Sequence, residues 1–297
     1  MIVRVLGSAA GGGVPQWNCA CPNCAAARAG TQPRRSQSSF AVSADGDSWW
    51  LINVSPDVAQ QIEAFSPLQP RTARGTPIAG MLITDANVDH LGGLAVLRQA
   101  GNHAFRIFSS ATVRRLAAAD VAFAAFTRAP HRWDAVAAGE TVLLDDRLRA
   151  RAVAMDGLTP GYAGREPLPD AVTAYLLLDS ATGGSALFAP VFAAVNEALL
   201  DESRHADVAF FDGSFYSDDE LGDVGVEKPA RSLGHAPIAG HDGSLAVLVA
   251  GVAKPGSQRF FAHLNNTNPI LDRGSPAFAA VATAGFQVAE DAMEFEL

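Results

Sequence analysis

Residues 83–94 read ITDANVDHLGGL, and the way apolar character gives out within that dozen decides the fold. The stretch closes an apolar run, AGMLITD (79–85), whose length and polar boundary read as a short buried strand. Asp85, Asn87, Asp89 and His90 then crowd together before Gly92 and Gly93. A strand end fixes side chains that the following loop exposes, so α/β folds keep their chemistry there. Two later strands end the same way: DVAFFDG (207–213) at Asp212, and RFFAHL (259–264) at His263. Each feature has a plainer reading alone. An Asp-His pair after a strand serves more often as a turn with an N-cap than as a ligand pair. Asp212-Gly213 reads as a strand-exit turn, and His263 as a hydrogen-bonded core histidine. Their common place at three strand ends favours one shared site.

Two imidazoles with one or two carboxylates form a hard-to-borderline donor set that leaves room for exogenous ligands. Such a set suits ferrous iron, and also zinc, manganese or cobalt. A redox-inert ion there favours hydrolysis, and ferrous iron favours oxygen chemistry. Cys19, Cys21 and Cys24 form a second cluster, CxCxxC, with no other cysteine in the chain. Three thiolates nearly complete a tetrahedral structural Zn(II) site, and a redox role is the alternative. His103, His131, His205 and His241 have no such context and read as structural or exposed.

Outward from the deciding stretch, MIVRVLG (1–7) reads as an opening strand, and SSFAVSAD (38–45) with SWWLINV (48–54) as a hairpin through Asp45-Gly46. TVLLDD, LRARAVAM, TAYLLLD, SALFAPV and QVAEDAMEFEL supply further strands. ATVRRLAAADVAFAAF (111–126), VFAAVNEALLDESRH (191–205) and SPAFAAVATAG (275–285) read as helices. No linker or charge run divides the chain, so a single α/β domain over residues 1–297, two sheets covered by helices, is expected.

Length and charge narrow the function classes. A chain of 297 residues buries a substantial core. Its net charge is −9, and Arg34-Arg35 is the one notable basic cluster. Binding a polyanion needs a basic face, so nucleic acid is not expected as a partner. No stretch approaches the ~18 apolar residues of a membrane span, and the first apolar run is too short for a signal-peptide core. Clustered, odd-numbered cysteines suggest a reducing compartment, and a cytoplasmic protein is expected.

The deciding stretch also resembles the metallo-β-lactamase superfamily signature, His-x-His-x-Asp-His after a buried strand. That resemblance implies an αββα sandwich of two mixed sheets flanked by helices. On its pattern Asp85 and Asn87 occupy the two leading histidine positions, while Asp89 and His90 match the trailing pair. A third histidine should follow LRARAVAM (148–155), where this chain has Met155-Asp156. All three departures fall on one metal position. Asp89, His90, Asp212 and His263 would complete the other. His235, in SLGHAPI (232–238), lies where related enzymes carry a glycine-histidine motif near the metal. His235 and Asp85 are the candidate catalytic residues, His235 through proton transfer.

Other stretches are more distinctive: LGSAAGGGVPQWNCACPNC (6–24), SQSS (36–39), INVSPD (52–57), FFDGSFYSDDE (210–220) and HLNNTNPILDRGSP (263–276). Together they look like the PqqB family, pyrroloquinoline quinone biosynthesis protein B, across the whole chain and most weakly between about residues 100 and 170. GSAAGGG lacks the spacing of a phosphate or dinucleotide loop, and its glycines instead suit a tight turn close to the site. The resemblance implies Fe(II)- and O2-dependent hydroxylation of a tyrosine ring in a small-molecule or short peptide precursor. Asp89, His90 and His263 would hold the iron, with Asp212 as ligand or hydrogen-bond partner. The family has also been described as a carrier of the quinone, and a hydrolase of the same fold is a further alternative. Asn266 is a candidate fourth zinc ligand, because a related phosphodiesterase family carries a zinc-binding histidine there. Leu91-Gly92-Gly93-Leu94 departs from many family members, which have two threonines before the glycine. That leaves a paralogue with another substrate open.

Overall fold

Most strands of this chain are apolar on both faces, as strands must be when a sheet is covered on each side. Trp49, Trp50, Leu51 and Ile52 are all buried, and so is every residue from Val208 to Asp212. The structure, a computed structural model, describes residues 1–101, 103–251 and 253–297.

Six strands come first: β1 (Ile2–Gly7), β2 (Ser39–Ser43), β3 (Trp49–Ile52), β4 (Ile78–Leu82), β5 (Arg106–Ser109) and β6 (Arg132–Ala135). Next are β7 (Thr141–Leu143), β8 (Leu148–Met155), β9 (Val172–Asp179), β10 (Ser185–Ala189), β11 (Val208–Asp212), β12 (Gln258–Ala262) and β13 (Gln287–Val288). The last strand, β14 (Glu294–Glu296), returns to the first sheet, whose order is β14-β1-β2-β3-β4-β5-β6. The second sheet runs β13-β12-β11-β10-β9-β8-β7. Both sheets are mixed. In each, three antiparallel ladders give way to three parallel ones, at β3/β4 in the first and β10/β11 in the second.

Val5, Phe40, Trp50 and Leu82 of the first sheet face Tyr175, Phe188, Phe210 and Phe260 of the second in the central core. Helices α1 (Pro22–Ala29), α2 (Val58–Ala64), α3 (Val88–Leu91), α4 (Leu94–Leu97), α5 (Ala111–Ala119), α6 (Glu197–Ser203), α7 (Ser244–Ala250) and α8 (Pro276–Thr283) lie outside the sheets. Val58, Leu91, Leu94 and Val113 pack on the outer face of the first sheet, and Leu199, Leu248 and Val281 on that of the second. The four layers are the expected αββα sandwich. Among the described residues no helix is long and apolar enough to cross a membrane.

Several elements differ from the sequence reading. The helix expected over residues 111–126 ends at Ala119, and a 3-10 turn follows at Ala124–Thr127. The helix expected from Val191 begins only at Glu197, because the Asn196 side chain caps it by accepting from the Leu199 N–H. QVAEDAMEFEL makes two strands, one in each sheet. The four-residue strands β5 and β6 open on arginines and carry too little pattern to be seen in the sequence.

Candidate metal centre and thiol cluster

The loop after β4 bends into α3, and His90 is buried there with its ring fixed from behind. Its Nδ1 lies 2.5 Å from Asp85 Oδ2, which also accepts from Thr84 Oγ1 at 2.8 Å. Asp85 Oδ1 accepts from the backbone N–H and side-chain amide of Asn87, at 2.9 and 2.8 Å. Thr84 is in turn clasped by Asn53, whose Oδ1 accepts from the Thr84 N–H at 2.9 Å. A carboxylate on Nδ1 selects the tautomer whose Nε2 carries the free lone pair. That Nε2 is buried without a hydrogen-bond partner. A buried polar nitrogen without a partner is costly, and a metal cation taking the place of a proton on Nε2 would satisfy it.

From the other sheet, His263 follows β12 with φ of 56°, in the left-handed region that an L side chain enters only under constraint. Its Nε2 reaches Asp89 Oδ2 at 3.1 Å, and His90 Nε2 lies 3.8 Å from the same oxygen. Ligand atoms of Asp89, His90 and His263 all fall within 4.8 Å of one another. His263 Nδ1 is held by Ser214 Oγ at 2.8 Å, and Ser214 donates its proton to Asp212 Oδ1 at 2.6 Å. Asp212, expected as ligand or hydrogen-bond partner, already has hydrogen-bond partners. Its oxygens accept from Ser214, from the Phe192 N–H at 3.0 Å, and from His235 Nδ1 at 2.7 Å. In this arrangement it steadies His235 directly and His263 through Ser214. A second group, Asp212, His235 and His263, also falls within 4.8 Å.

Asp85, expected as catalytic, has its carboxylate wholly buried behind His90 with both oxygens hydrogen-bonded, and it does not line the cavity beside the site. His235 does line the cavity, about 390 Å³ in volume. Leu158, Val191, Phe215 and Leu233 give that cavity apolar walls, while Asp89, His235, His263 and Arg165 supply polar groups. The glycine loop closes one side: a Cβ on Gly11 would come within 3.3 Å of Asp89 Oδ2. Ser214, Asn53, Thr84 and Arg165 drew no attention in the sequence. Ser214 follows Asp212-Gly213 as any turn residue would, and only the fold brings it to two histidines.

Burial by itself pushes the His90 imidazolium toward deprotonation, but the Asp85 and Asp89 carboxylates outweigh it and hold the group at about 9. Asp89 feels burial in the opposite sense, and His90 and His263 still keep it far below the usual carboxylate range. Burial likewise lowers His235, and Asp212 more than restores it. The centre is therefore a focus of negative potential, and the field that retains a proton on His90 also attracts a metal ion.

Cys19, Cys21 and Cys24 converge as well, with their sulfurs within 4.8 Å. Burial and the neighbouring sulfurs drive the Cys24 thiol up to about 11, so three thiolates cannot coexist there without a counter-charge. Asn266 Nδ2 stands 3.1, 3.5 and 3.4 Å from the three sulfurs. In this rotamer Asn266 donates to sulfur, and a ligand role needs its amide turned over.

The fold and the paired donor sets define a class, and the comparisons agree. The beta-lactamase superfamily domain family matches residues 48–254. Coenzyme PQQ synthesis protein B of Ruegeria pomeroyi is 38% identical over 305 residues, covering 100% of each chain. Its counterpart in Rhizobium meliloti is 39% identical over 310 residues, covering 99% of this chain and 97% of its own. The crystal structure of Zn(2+)-bound PqqB from Methylobacterium extorquens matches with a TM-score of 0.93 and 33% identity, covering 100% of both chains. This chain belongs to the coenzyme PQQ synthesis protein B family. A diphosphatase of the PhnP family, at 21% identity and a TM-score of 0.70, shares the fold alone.

Proposed function

We propose that this protein is a metal-dependent enzyme of pyrroloquinoline quinone biosynthesis, or of a related peptide-derived cofactor, that hydroxylates a tyrosine-derived precursor using Fe(II) and O2. One observation carries the reading: Asp89, His90 and His263 present two imidazoles and one carboxylate to a single point, with His90 Nε2 orphaned. The positions that hold a second metal in hydrolytic relatives are filled by Asp85, Asn87 and Met155-Asp156. A two-histidine, one-carboxylate face with open positions is the donor set of non-haem iron oxygenases. Ferrous iron held there would supply activation of dioxygen.

The chain's own groups account for the rest. The apolar walls exclude water from a bound ring and suit its flat faces. His235 Nδ1 faces Asp212, which leaves Nε2 to take or return a proton at the substrate hydroxyl. Inserting one oxygen atom into a ring C–H and reducing the other to water takes two electrons and two protons, so an assay needs a reductant. Protein purified without oxygen should contain iron at one equivalent beyond the thiol-bound zinc. With ascorbate and a tyrosyl dipeptide it should consume O2 and form a catechol. Iron-loaded protein that turns over no tyrosine-containing compound overturns the reading.

A zinc hydrolase is the second reading, favoured by the zinc in the Methylobacterium extorquens structure. Zinc-dependent cleavage of phosphodiester or lactam substrates would establish it. A third, a carrier of the quinone or its precursor, predicts tight binding with the metal removed and no reaction.

A further inference from the structure

The segment joining β8 to β9 lines the cavity with Leu158, Thr159, Pro160, Gly161 and Arg165 and closes on itself as a loop. Thr159 pins its neck: the Thr159 N–H donates to the Glu166 carbonyl at 2.9 Å, and Thr159 Oγ1 accepts from the Glu166 N–H at 2.8 Å. The tip is tied to the loop after β4, where the Tyr162 hydroxyl donates to the Ala86 carbonyl at 2.6 Å. Arg165 lies between neck and tip. Its backbone has φ of 55°, which for a side chain of this size is held only by surrounding structure. Three of the four described non-glycine residues with such backbone, Asn53, Arg165 and His263, lie in or behind this one site.

The Arg165 guanidinium borders the cavity and rests against Gly161, where a Cβ would come within 3.3 Å of its Nη2. Nη1 donates to the Ser232 carbonyl at 3.2 Å, on the segment that carries Leu233, Gly234 and His235. Among the described residues it forms no ion pair. Arg35, by contrast, is spent on Ser8, the Ala289 carbonyl and Glu290. Among the described residues Arg165 is therefore the one arginine or lysine lining this cavity, and most of its donors have no partner there.

We propose that Arg165 recognises a carboxylate on the substrate and so turns the substrate's aromatic ring toward the metal centre. The inference rests on the reading of the substrate as an aromatic acid or short peptide. Guanidinium and carboxylate match in a planar, two-bond geometry, which fixes direction as well as affinity. The walls between, Leu158, Val191, Phe215 and Leu233, are apolar and suit the ring itself. Charge at one end and apolar walls beyond it would reject neutral phenols and ring-free acids together.

The probes are 3-(4-hydroxyphenyl)propionate and its amide, which differ only in the charged end. Binding is measured by calorimetry on Fe(II)-loaded protein under nitrogen, so that no turnover intervenes. Wild type should prefer the acid by about tenfold, the low end for a charge-assisted contact at an exposed mouth. Arg165→Gln should bind both probes alike, at the affinity wild type shows for the amide, and Arg165→Lys should recover part of the preference. Because Arg165 is exposed, its variants should melt within a few degrees of wild type. An acid preference that survives in Arg165→Gln assigns it to the metal and overturns the inference, as does equal or absent binding of both probes to wild type. Acid binding through Arg165 without hydroxylation removes the oxygenase reading alone. Hydroxylation with undiminished discrimination in Arg165→Gln removes this inference alone.

Discussion

Replacing Asp85 with asparagine tests how the metal centre is held. Four donors meet this carboxylate: Thr84 Oγ1, His90 Nδ1, and the N–H and Nδ2 of Asn87. Asparagine brings one acceptor and one donor in place of two acceptors. If its oxygen faces Asn87, its amide nitrogen faces His90, Nδ1 must accept, and the proton moves to Nε2. The lone pair aimed at the cation is then lost. If the oxygen faces His90, the amide nitrogen confronts two N–H groups of Asn87 instead. Either way the partner that orients a metal ligand is compromised, a loss usually worth about 10- to 100-fold in metal affinity. That range corresponds to about 1.4–2.7 kcal/mol. Competition against a chromogenic chelator, with Fe(II) under nitrogen and with Zn(II) in air, measures it directly. A folded Asp85→Asn variant whose affinity for both ions stays within twofold of wild type would refute the tautomer argument.

Further expectations follow from other contacts. Ser214→Ala removes the acceptor behind His263 Nδ1, and should weaken metal binding there by several-fold while leaving the metal content of the cysteine cluster unchanged, as metal analysis would show. Burial raises Glu220 to about 7, against an ordinary value near 4.5, so the folded state binds more protons between those values. Stability from this group is full below about pH 4.5 and is lost as pH rises through about 7, by roughly 3 kcal/mol. Glu220→Gln should flatten the difference in melting temperature between pH 5 and 8, and a wild-type pH profile in that variant refutes the assignment. With Zn(II) loaded at the cysteine cluster, Cys21→Ser should weaken its retention and lower the melting point, whereas Asn266→His should slow its loss to a chelator by about tenfold.

The sequence carried the strands that lead to Asp89, His90 and His263, because a buried strand running into polar residues is a local pattern. The sheets were legible for the same reason, apolar runs covered on both faces. What stayed hidden depends on distance. Nothing near Asn53 announces that it grips Thr84, and nothing near Asp212 says whether its oxygens meet a cation or Ser214 and His235. Arg165 lies in a loop with no periodicity, aimed by backbone strain that composition does not reveal. The strands β5 and β6 were missed because four residues opening on arginine carry too little pattern to separate from loop.

Asp89 and His90 hang from the first sheet and His263 from the second, so one cation grasped by all three would rivet two layers that otherwise adhere through greasy contact. Metal supply would then govern rigidity as well as chemistry: an ion at a hundred times its dissociation constant adds about 2.7 kcal/mol against unfolding. A cell short of that metal would hold a looser protein, open to proteolysis before its catalysis is ever asked for.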